Sequence, residues 1–367
     1  FKTGLDWNAA VAAESKVGLN LLSNSKSYDW KSTADGAYNW KTDKFVVFDG
    51  STWVTASVKA VRYYMDPRNF LDERGIFQFE SLKYRSDVQT QTGVENVLRN
   101  TPMYNTNFTY TNNAGKNVSI KYSKAFMEAA AASRVSPYHL ASRVKQEVVI
   151  SSTMMSSSVS GNVAGYKGIY NFYNIGANSG ANAVKNGLKW ASTGTDYSRP
   201  WNNRYRSIYG GACYIGKQYI NVGQNTLYLQ KFNVTATKRY DHQYMANIEA
   251  PNNEATKTAN AYGSDKDNTP IVFSIPVYNN MPVSACDIPS GGKNPNNLYV
   301  QGHAFSAPFA LGDTGSKTYK TTVANKVKSV KVVASAVSTA ATVTGTGSKS
   351  LSVGKNTIIV KVKSASG

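Results

Sequence analysis

The sequence predicts a multidomain protein in which a large α-rich domain precedes a small all-β domain. The chain has 367 residues, more than the ~100–200 residues usual for one domain. Apolar residues recur at helical spacing between residues 123 and 148, whereas beyond residue 329 they alternate with polar residues at period two. A Pro-, Gly- and Asn-rich stretch separates the two patterns. We therefore predict domains at 1–288 and 289–367, with residues 1–60 as an N-terminal extension packed on the first.

The strongest helical signal covers two consecutive helices. The first is predicted to begin at Ser123 and to end before Ser136. Ser136 then caps a second helix with Pro137 at its first position, where the missing N–H costs nothing. The apolar stripe of this second helix is spaced i, i+4, i+8: Leu140, Val144 and Val148. The Ser-, Met- and Gly-rich residues 149–168 that follow are predicted to form a loop.

Weaker patterns predict the remaining elements of the larger domain. Residues 11–22 are predicted to contain a helix, and 45–50 a short strand that ends in an Asp-Gly turn. Further helices are predicted at 57–64, 183–190 and 206–222. Residues 252–269, rich in Asn, Lys and Asp, are predicted to be a polar separator rather than a regular element.

The C-terminal segment has a strand pattern and an uneven charge. Its apolar residues alternate with polar ones between Gly-, Ser- and Thr-rich turns, which predicts a small β-sandwich of immunoglobulin-like type. No Asp or Glu follows Asp313, but nine lysines do: Lys317, Lys320, Lys326, Lys328, Lys331, Lys349, Lys355, Lys361 and Lys363. We expect these lysines to govern retention on an anionic surface and its sensitivity to salt.

Composition limits the classes of function. The chain carries 41 Lys+Arg against 22 Asp+Glu, a formal charge of +19, yet only 17% of residues are charged and 41% are hydrophobic. These values exclude a disordered polyelectrolyte and indicate an acidic partner. Two cysteines and three scattered histidines fit neither a disulfide framework nor a metal site, so we expect no metal and no cofactor. The sequence contains no helix-turn-helix or zinc-finger spacing that would indicate nucleic-acid binding. It also contains no apolar run long enough to cross a membrane.

Glu147 is the acidic residue best placed for chemistry. It lies near the end of the predicted Pro137 helix, where the helix dipole and the neighbours Val144 and Val148 favour a protonated carboxyl. A general acid needs this state to protonate a leaving oxygen. The alternative is an ordinary exposed pair with Arg143, four residues earlier.

Several motifs in a common order resemble the bacterial N-acetylglucosaminidases of glycoside hydrolase family 73. The resemblance extends from about Trp53 to Met281 and includes the stretch that contains Glu147. The segments that carry it are residues 64–71, 136–147, 170–177, 199–201, 223–228 and 242–245. One departure follows Glu147, where Val148-Val149-Ile150 stands in place of the small residue and glycines of many members. The tail from about Asn294 resembles the cadherin-like β-sandwich modules appended to such enzymes.

The resemblance implies a lysozyme-like α+β fold with a groove that holds a glycan strand. Glu147 falls on the family's catalytic Glu, and Tyr173 falls on a Tyr that lines the reaction centre. Further candidates for contacts with the sugar are Tyr170, Phe172, Asn174, Gln146 and Tyr244. For residues 170–174, the alternative is a simple joint between a helix and a loop.

The second catalytic group is not apparent in the sequence. Glycosidases usually employ two carboxylates, but no Asp or Glu occurs between Glu147 and Asp196. One possibility is that a distant carboxylate, Glu80, Asp196 or Asp241, folds into the groove. The other, which we favour, is attack by the substrate's own 2-acetamido group, with Tyr173 supporting the developing charge.

These expectations together describe a secreted, monomeric peptidoglycan hydrolase associated with a bacterial, Gram-positive cell wall. Its partners are peptidoglycan glycan strands and anionic wall polymers, and it cleaves the β-1,4 bond after N-acetylglucosamine. One alternative is a muramidase or lytic transglycosylase on the same fold. The other is a non-catalytic wall-binding surface protein.

Overall fold

The chain folds as two units in the computed structural model, which describes residues 1–39, 44–177, 181–289, 298–303, 305–306, 317–336 and 341–364. The first unit contains Phe1–Asp6, Pro67–Met245 and Glu249–Asn279. The second contains Trp7–Asp66, Ala246–Ile248 and the described part of 280–367. The domain boundary predicted at residue 289, and the packing of residues 1–60 on the larger domain, stay predictions.

Helices dominate the first unit, and two more lie in the second. The nine α-helices of the described residues are α1 (Trp7–Glu14), α2 (Val58–Met65), α3 (Gln91–Leu98), α4 (Tyr122–Ser133), α5 (Pro137–Val148), α6 (Ala183–Ser192), α7 (Arg204–Gln218), α8 (Leu227–Lys231) and α9 (Ala250–Tyr262). Of these, α1 and α2 belong to the second unit and α3–α9 to the first. In the described part of the chain, no helix is long and apolar enough to cross a membrane.

The strands of the described residues are short and form seven small sheets. They are β1 (Lys2–Asp6), β2 (Leu21–Ser23), β3 (Tyr38–Asn39), β4 (Lys44–Phe45), β5 (Val47–Asp49), β6 (Trp53–Thr55), β7 (Asn107–Thr111), β8 (Asn117–Lys121), β9 (Val149–Ser151), β10 (Met154–Met155), β11 (Val277–Asn279), β12 (Leu298–Val300), β13 (Ser329–Ala334), β14 (Thr342–Thr344), β15 (Gly347–Ser350) and β16 (Lys361–Lys363). β1 pairs with β11 in parallel. The other sheets are antiparallel, in the orders β2-β6-β5, β3-β4, β7-β8, β9-β10, β12-β13-β15 and β14-β16.

Two of the predicted helices begin at serine caps, and the cap predicted at Ser136 is confirmed. Ser136 Oγ accepts a hydrogen bond from the backbone N–H of His139 at 3.3 Å, and Pro137 is the first residue of α5. Ser57 Oγ accepts from the N–H of Ala60 at 3.1 Å and begins α2. Each cap satisfies one of the N–H groups that a helix start leaves without an intrahelical acceptor.

Other predicted elements differ from the structure. The polar stretch 252–269 was expected to be a separator, but its first part forms α9, which starts at Ala250 with Pro251 in its first turn. Residues 149–168 are not a simple loop, because they begin with the β9-β10 hairpin. The predicted helix at 206–222 ends earlier, at Gln218, and a short 3₁₀ turn follows it.

α5 lies at the centre of the first unit's core. It packs against α3, α4 and α9, while α4 also packs against α7. Its predicted stripe of Leu140, Val144 and Val148 is buried, with 0–1% of each side chain exposed. Gly93 of α3 allows a close approach, since a Cβ there would lie 2.3 Å from the hydroxyl oxygen of Tyr138. This arrangement presents the end of α5 beside α9.

A single lysine links three helices in this region. The Nζ of Lys145, on α5, donates to the carbonyls of Val97 at 2.9 Å, Arg99 at 3.1 Å and Ala261 at 2.7 Å. These acceptors lie at or just after the C-terminal ends of α3 and α9, where carbonyls lack helical partners and the dipole favours a cation. Burial lowers the pKa of Lys145.

The described C-terminal strands form two separate small sheets. β13 pairs with β12 on one side and β15 on the other, and β14 pairs with β16. Three valines form the buried core of this part: Val300, Val330 and Val332. The period-two pattern correctly predicts β-structure here, and an immunoglobulin-like sandwich stays a prediction.

Candidate active site

The last turn of α5 places Glu147 at the surface of the first unit. Because Val144 and Val148 face the core, Glu147 and Arg143 lie together on another face of the helix. The chain leaves α5 through β9 and returns through β10, where the N–H of Ser156 donates to the carbonyl of Val148 at 2.7 Å. The end of α5 is therefore held by the hairpin that follows it.

Both carboxylate oxygens of Glu147 have hydrogen-bond donors. Nη2 of Arg143 donates to Oε1 at 3.1 Å, and Nδ2 of Asn174 lies 3.3 Å from Oε2. The same Nδ2 also donates to the main-chain carbonyl of Glu147 at 2.8 Å. About 30% of the Glu147 side chain is exposed. The pair with Arg143 that the sequence suggested as an alternative is thus present, but it belongs to a larger cluster.

Arg143 also contacts a second carboxylate. Its Nη1 lies 3.5 Å from Oε2 of Glu254, which projects from α9 and has 20% of its side chain exposed. The other oxygen of Glu254 accepts a hydrogen bond from Nζ of Lys257 at 2.8 Å. One guanidinium therefore bridges two glutamates from different helices.

Glu147 and Glu254 line a cavity of about 690 Å³. The cavity lies entirely in the first unit, and α5, α6, α7, α8, α9 and residues 173–177 contribute to its wall. Its volume falls in the range of ligand pockets, ~300–1,000 Å³. Aromatic residues of the wall are Tyr173, Tyr214, Tyr219 and Tyr244.

Tyr173 is a buried part of this wall. Its hydroxyl donates to the carbonyl of Ile208 at 3.3 Å, and only 6% of the residue is exposed. Burial raises its pKa well above the ordinary value for tyrosine, with a smaller contribution from Cys213, so the phenol is neutral at physiological pH. The ring lies so close to α7 that a Cβ at Gly211 would be 2.1 Å from it.

The structure brings some of the predicted sugar-binding residues to the cavity and not others. Asn174 and Tyr244 line it, and Tyr244 is 51% exposed, with its ring edge-on to that of Tyr219. Phe172 was expected at the binding surface, but its ring is 0% exposed in the hydrophobic core. The expectation that the Phe172 side chain contacts the sugar is therefore wrong.

Tyr170 and Gln146 also lie outside the cavity lining. The ring of Tyr170 packs over Gly161, and the guanidinium of Arg204 lies 5.2 Å from its centre. Nε2 of Gln146 is buried without a hydrogen-bond partner among the described residues. The structure thus assigns neither side chain a direct place at the site.

None of the three distant carboxylates proposed from the sequence lines the cavity. Glu80 is 2% exposed and accepts a hydrogen bond from Tyr262, and burial raises its pKa to about 7. The side chain of Asp196 is 81% exposed beside Arg199, and Asp241 is also exposed. Sequence reasoning missed Glu254, although Pro251 and the spacing of Ala255, Ala259 and Tyr262 could have indicated its helix.

His139 lies in the wall at the start of α5. It is 6% exposed, and burial lowers its pKa to about 3, with the charge of Arg143 adding to the effect. The imidazole is therefore neutral at physiological pH. In the described part of the chain, no three His, Cys, Asp or Glu side chains are grouped as metal ligands.

Comparisons with the sequences of known proteins find a similarity that is limited to part of the chain. No protein-family model matches the chain. A bifunctional autolysin of Staphylococcus epidermidis is 32% identical over 109 residues, which are 30% of this chain and 8% of that protein. The chain therefore matches less than a tenth of the length of this curated relative.

Solved structures extend the likeness to most of the chain. Glucosaminidase B of S. aureus superposes with a TM-score of 0.51 at 22% identity, over 76% of this chain and 92% of that one. A major bifunctional autolysin gives a TM-score of 0.49 at 19% identity. About three quarters of the chain therefore shares the fold of a bacterial glucosaminidase domain, and the resemblance inferred from the motifs is confirmed for that part.

Proposed function

We propose that the protein is a peptidoglycan hydrolase in which Glu147 is the general acid and base. One observation carries the proposal: the Glu147 carboxylate is held by Arg143 and Asn174 in the wall of a cavity of about 690 Å³. A carboxyl group fixed beside such a cavity is what protonation of a glycosidic oxygen requires. The autolysin and glucosaminidase names of the similar proteins support a cell-wall glycan as the substrate.

In the proposed reaction, the β-1,4 bond after N-acetylglucosamine breaks while Glu147 gives its proton to the leaving oxygen. The oxygen of the sugar's 2-acetamido group bonds to the anomeric carbon and forms a cyclic oxazolinium intermediate. Glu147 then takes a proton from a water molecule as that water opens the ring. Each of the two displacements inverts the anomeric carbon, so the product retains the configuration of the substrate, and an inverted initial product would exclude this route.

Tyr173 is proposed to support the charge that develops near the acetamido group. Because its phenol stays neutral, it can act only as a hydrogen-bonding or dipolar group. Its O–H is donated to the Ile208 carbonyl, so a direct role requires this hydroxyl to turn toward the substrate. Tyr173→Phe tests the role, since a direct one lowers kcat while KM changes little.

The site of cleavage is tested by mass spectrometry of reduced cell-wall digests. Reduced N-acetylglucosamine ends support the proposal, whereas reduced or anhydro-muramic acid ends indicate a muramidase or a lytic transglycosylase. Binding without any new reducing ends indicates a non-catalytic wall-binding protein. Glu147→Gln, digested in parallel, links the products to this site.

The C-terminal segment is proposed to hold the enzyme on the wall. Its lysines suit anionic wall polymers, and its strands are proposed to form an immunoglobulin-like module. We further propose that the protein is secreted, acts as a monomer on glycan strands and belongs to a Gram-positive wall.

A further inference from the structure

Glu254 is a second carboxylate in the same cavity, and no motif of the sequence points to it. It reaches the cavity from α9, which packs on α5. Lys145 fixes this packing, because it donates both to Ala261 near the end of α9 and to the carbonyls after α3. The distance between Arg143 and Glu254 is therefore set by helix packing and not by two independent surface side chains.

The two glutamates compete for one cation. Arg143 Nη2 is 3.1 Å from Glu147 and Nη1 is 3.5 Å from Glu254, so neither carboxylate holds the guanidinium alone. A cation that pairs with a single carboxylate favours the ionised form of that carboxylate. A second carboxylate nearby disfavours the ionised form. A general acid must hold its proton until the leaving oxygen takes it.

We propose that Glu254 is a positioning residue that acts on Glu147 through Arg143. By sharing the guanidinium it prevents an exclusive Arg143–Glu147 pair, and it thereby keeps Glu147 available in its protonated form. Arg143 in turn stays in place to pair with the Glu147 carboxylate after Glu147 has given its proton to the leaving oxygen. This inference rests on the proposed role of Glu147 as the general acid.

The other groups of the cavity do not supply this balance. His139 on α5 is neutral because burial lowers its pKa to about 3, and Tyr173 is neutral because burial raises its pKa. Lys257 on α9 pairs with Glu254. Lys231 on α8 donates to Gln243. Asn174 carries no charge and contacts the oxygen of Glu147 that Arg143 does not bind.

The test measures the titration of Glu147 directly. Protein with ¹³C-labelled glutamate carboxyls is titrated by NMR, and the Glu147 resonance is assigned by its absence in Glu147→Gln. In Glu254→Gln, Arg143 is left to Glu147 alone, so we expect the midpoint to fall by ~0.5–1 pH unit. At pH values above the optimum for hydrolysis, a Glu147 titration midpoint that is lower by about one pH unit reduces kcat up to about tenfold. KM should change little.

Two further variants test the sign and the route. Lys257→Met removes a 61% exposed cation from Glu254, and we expect the Glu147 midpoint to rise. In an Arg143→Gln background, Glu254→Gln should shift the midpoint by much less than in the wild type. Glu128→Gln, which removes a carboxylate on α4 that bonds Tyr205 outside the cavity, should leave the midpoint unchanged.

An unchanged midpoint in Glu254→Gln, or an equal shift with and without Arg143, overturns the inference. If Glu254→Gln does not fold, the Lys257→Met titration decides, and a fall or no change there also overturns it. The NMR readout does not depend on hydrolysis. A wild type that releases no reducing ends therefore contradicts the proposed function separately from the role of Glu254.

Discussion

The first unit and the C-terminal part of the second unit use basic residues in different ways. In the first unit, single cations are placed with defined acceptors, as Arg143 bridges two glutamates and Lys145 binds three carbonyls. Between residues 317 and 364 no acidic residue occurs, and most lysines lie on exposed strand or loop positions. The net charge of +19 therefore has two physical roles.

The difference indicates where a change of charge should have a local effect and where it should act only through the total charge of the region. A cation with short, directional contacts in a partly buried site matters individually. Exposed charges without fixed partners act through a screened field and weaken with salt. Substitutions in the two regions should accordingly affect different measurements.

The largest effect is expected for Glu147→Gln. Loss of the proposed general acid should lower kcat by about 10²–10⁴-fold, while binding to insoluble cell wall stays close to that of the wild type. Release of reducing ends and sedimentation with wall fragments measure the two properties. Near-normal turnover in this variant would remove Glu147 from the proposed role.

Lys145→Met should be the most destabilising single change of charge in the first unit. Methionine keeps most of the unbranched apolar stem but removes a cation that donates to three carbonyls. Hydrogen bonds to charged groups are worth about 1.5–3 kcal/mol each, and partial access of water should limit the total loss to ~3–5 kcal/mol. Urea unfolding measures it, and Lys124→Met, at a 54% exposed position on α4, is the control.

Glu80→Gln should change how stability depends on pH. Glu80 is buried, one of its oxygens has no hydrogen-bond partner among the described residues, and its pKa is raised from 4.5 to about 7. Between these values the unfolded chain is ionised while the folded chain keeps the proton, so stability falls as the pH rises, by at most about 3 kcal/mol.

Glutamine cannot ionise, and its oxygen can still accept from Tyr262. The variant should therefore be more stable than the wild type at pH 8 and should lose this advantage below about pH 4.5. Unfolding curves at the two pH values measure the difference. The same difference at both would contradict a titration of Glu80 as its cause.

The smallest effect per residue is expected in the tail. Replacing Lys328, Lys361 and Lys363 with Gln should lower the salt concentration that elutes the protein from cell wall, with turnover on soluble glycan unchanged. The control carries Lys116→Gln, Lys124→Gln and Lys167→Gln in the first unit, with the same change in net charge. Equal elution of both triple variants would show that only the total charge matters.

Local signals in the sequence predict much of the fold that carries the site. Ser136 and Pro137 mark the start of α5 because capping depends on neighbouring residues alone. The alternation of valines with polar residues predicts the C-terminal strands, because this pattern also depends on neighbouring residues alone. α9 was missed because its buried face uses small residues, such as Ala255 and Ala259, among Asn and Lys. Composition alone cannot distinguish such a helix from a polar linker.

The site depends on contacts that a local pattern does not contain. Glu147 was identified from its helix and from the family motifs, but Glu254 joins it only because α5 packs on α9. Phe172 and Tyr173 are neighbours in an aromatic stretch, yet one belongs to the core and the other also lines the cavity. Which ring faces a ligand is decided by tertiary packing.

The parallel pairing of β1 with β11 has a consequence for the order of folding. Lys2 is the partner of Val277, so this sheet joins residues about 275 positions apart in sequence. Contacts of such separation form late, because most of the loop between them must be ordered first. During synthesis the strand at residues 2–6 must wait for its partner until nearly the whole first unit has left the ribosome. In pulse-labelling hydrogen exchange, we expect the amides of β1 to gain protection after those of α4 and α5.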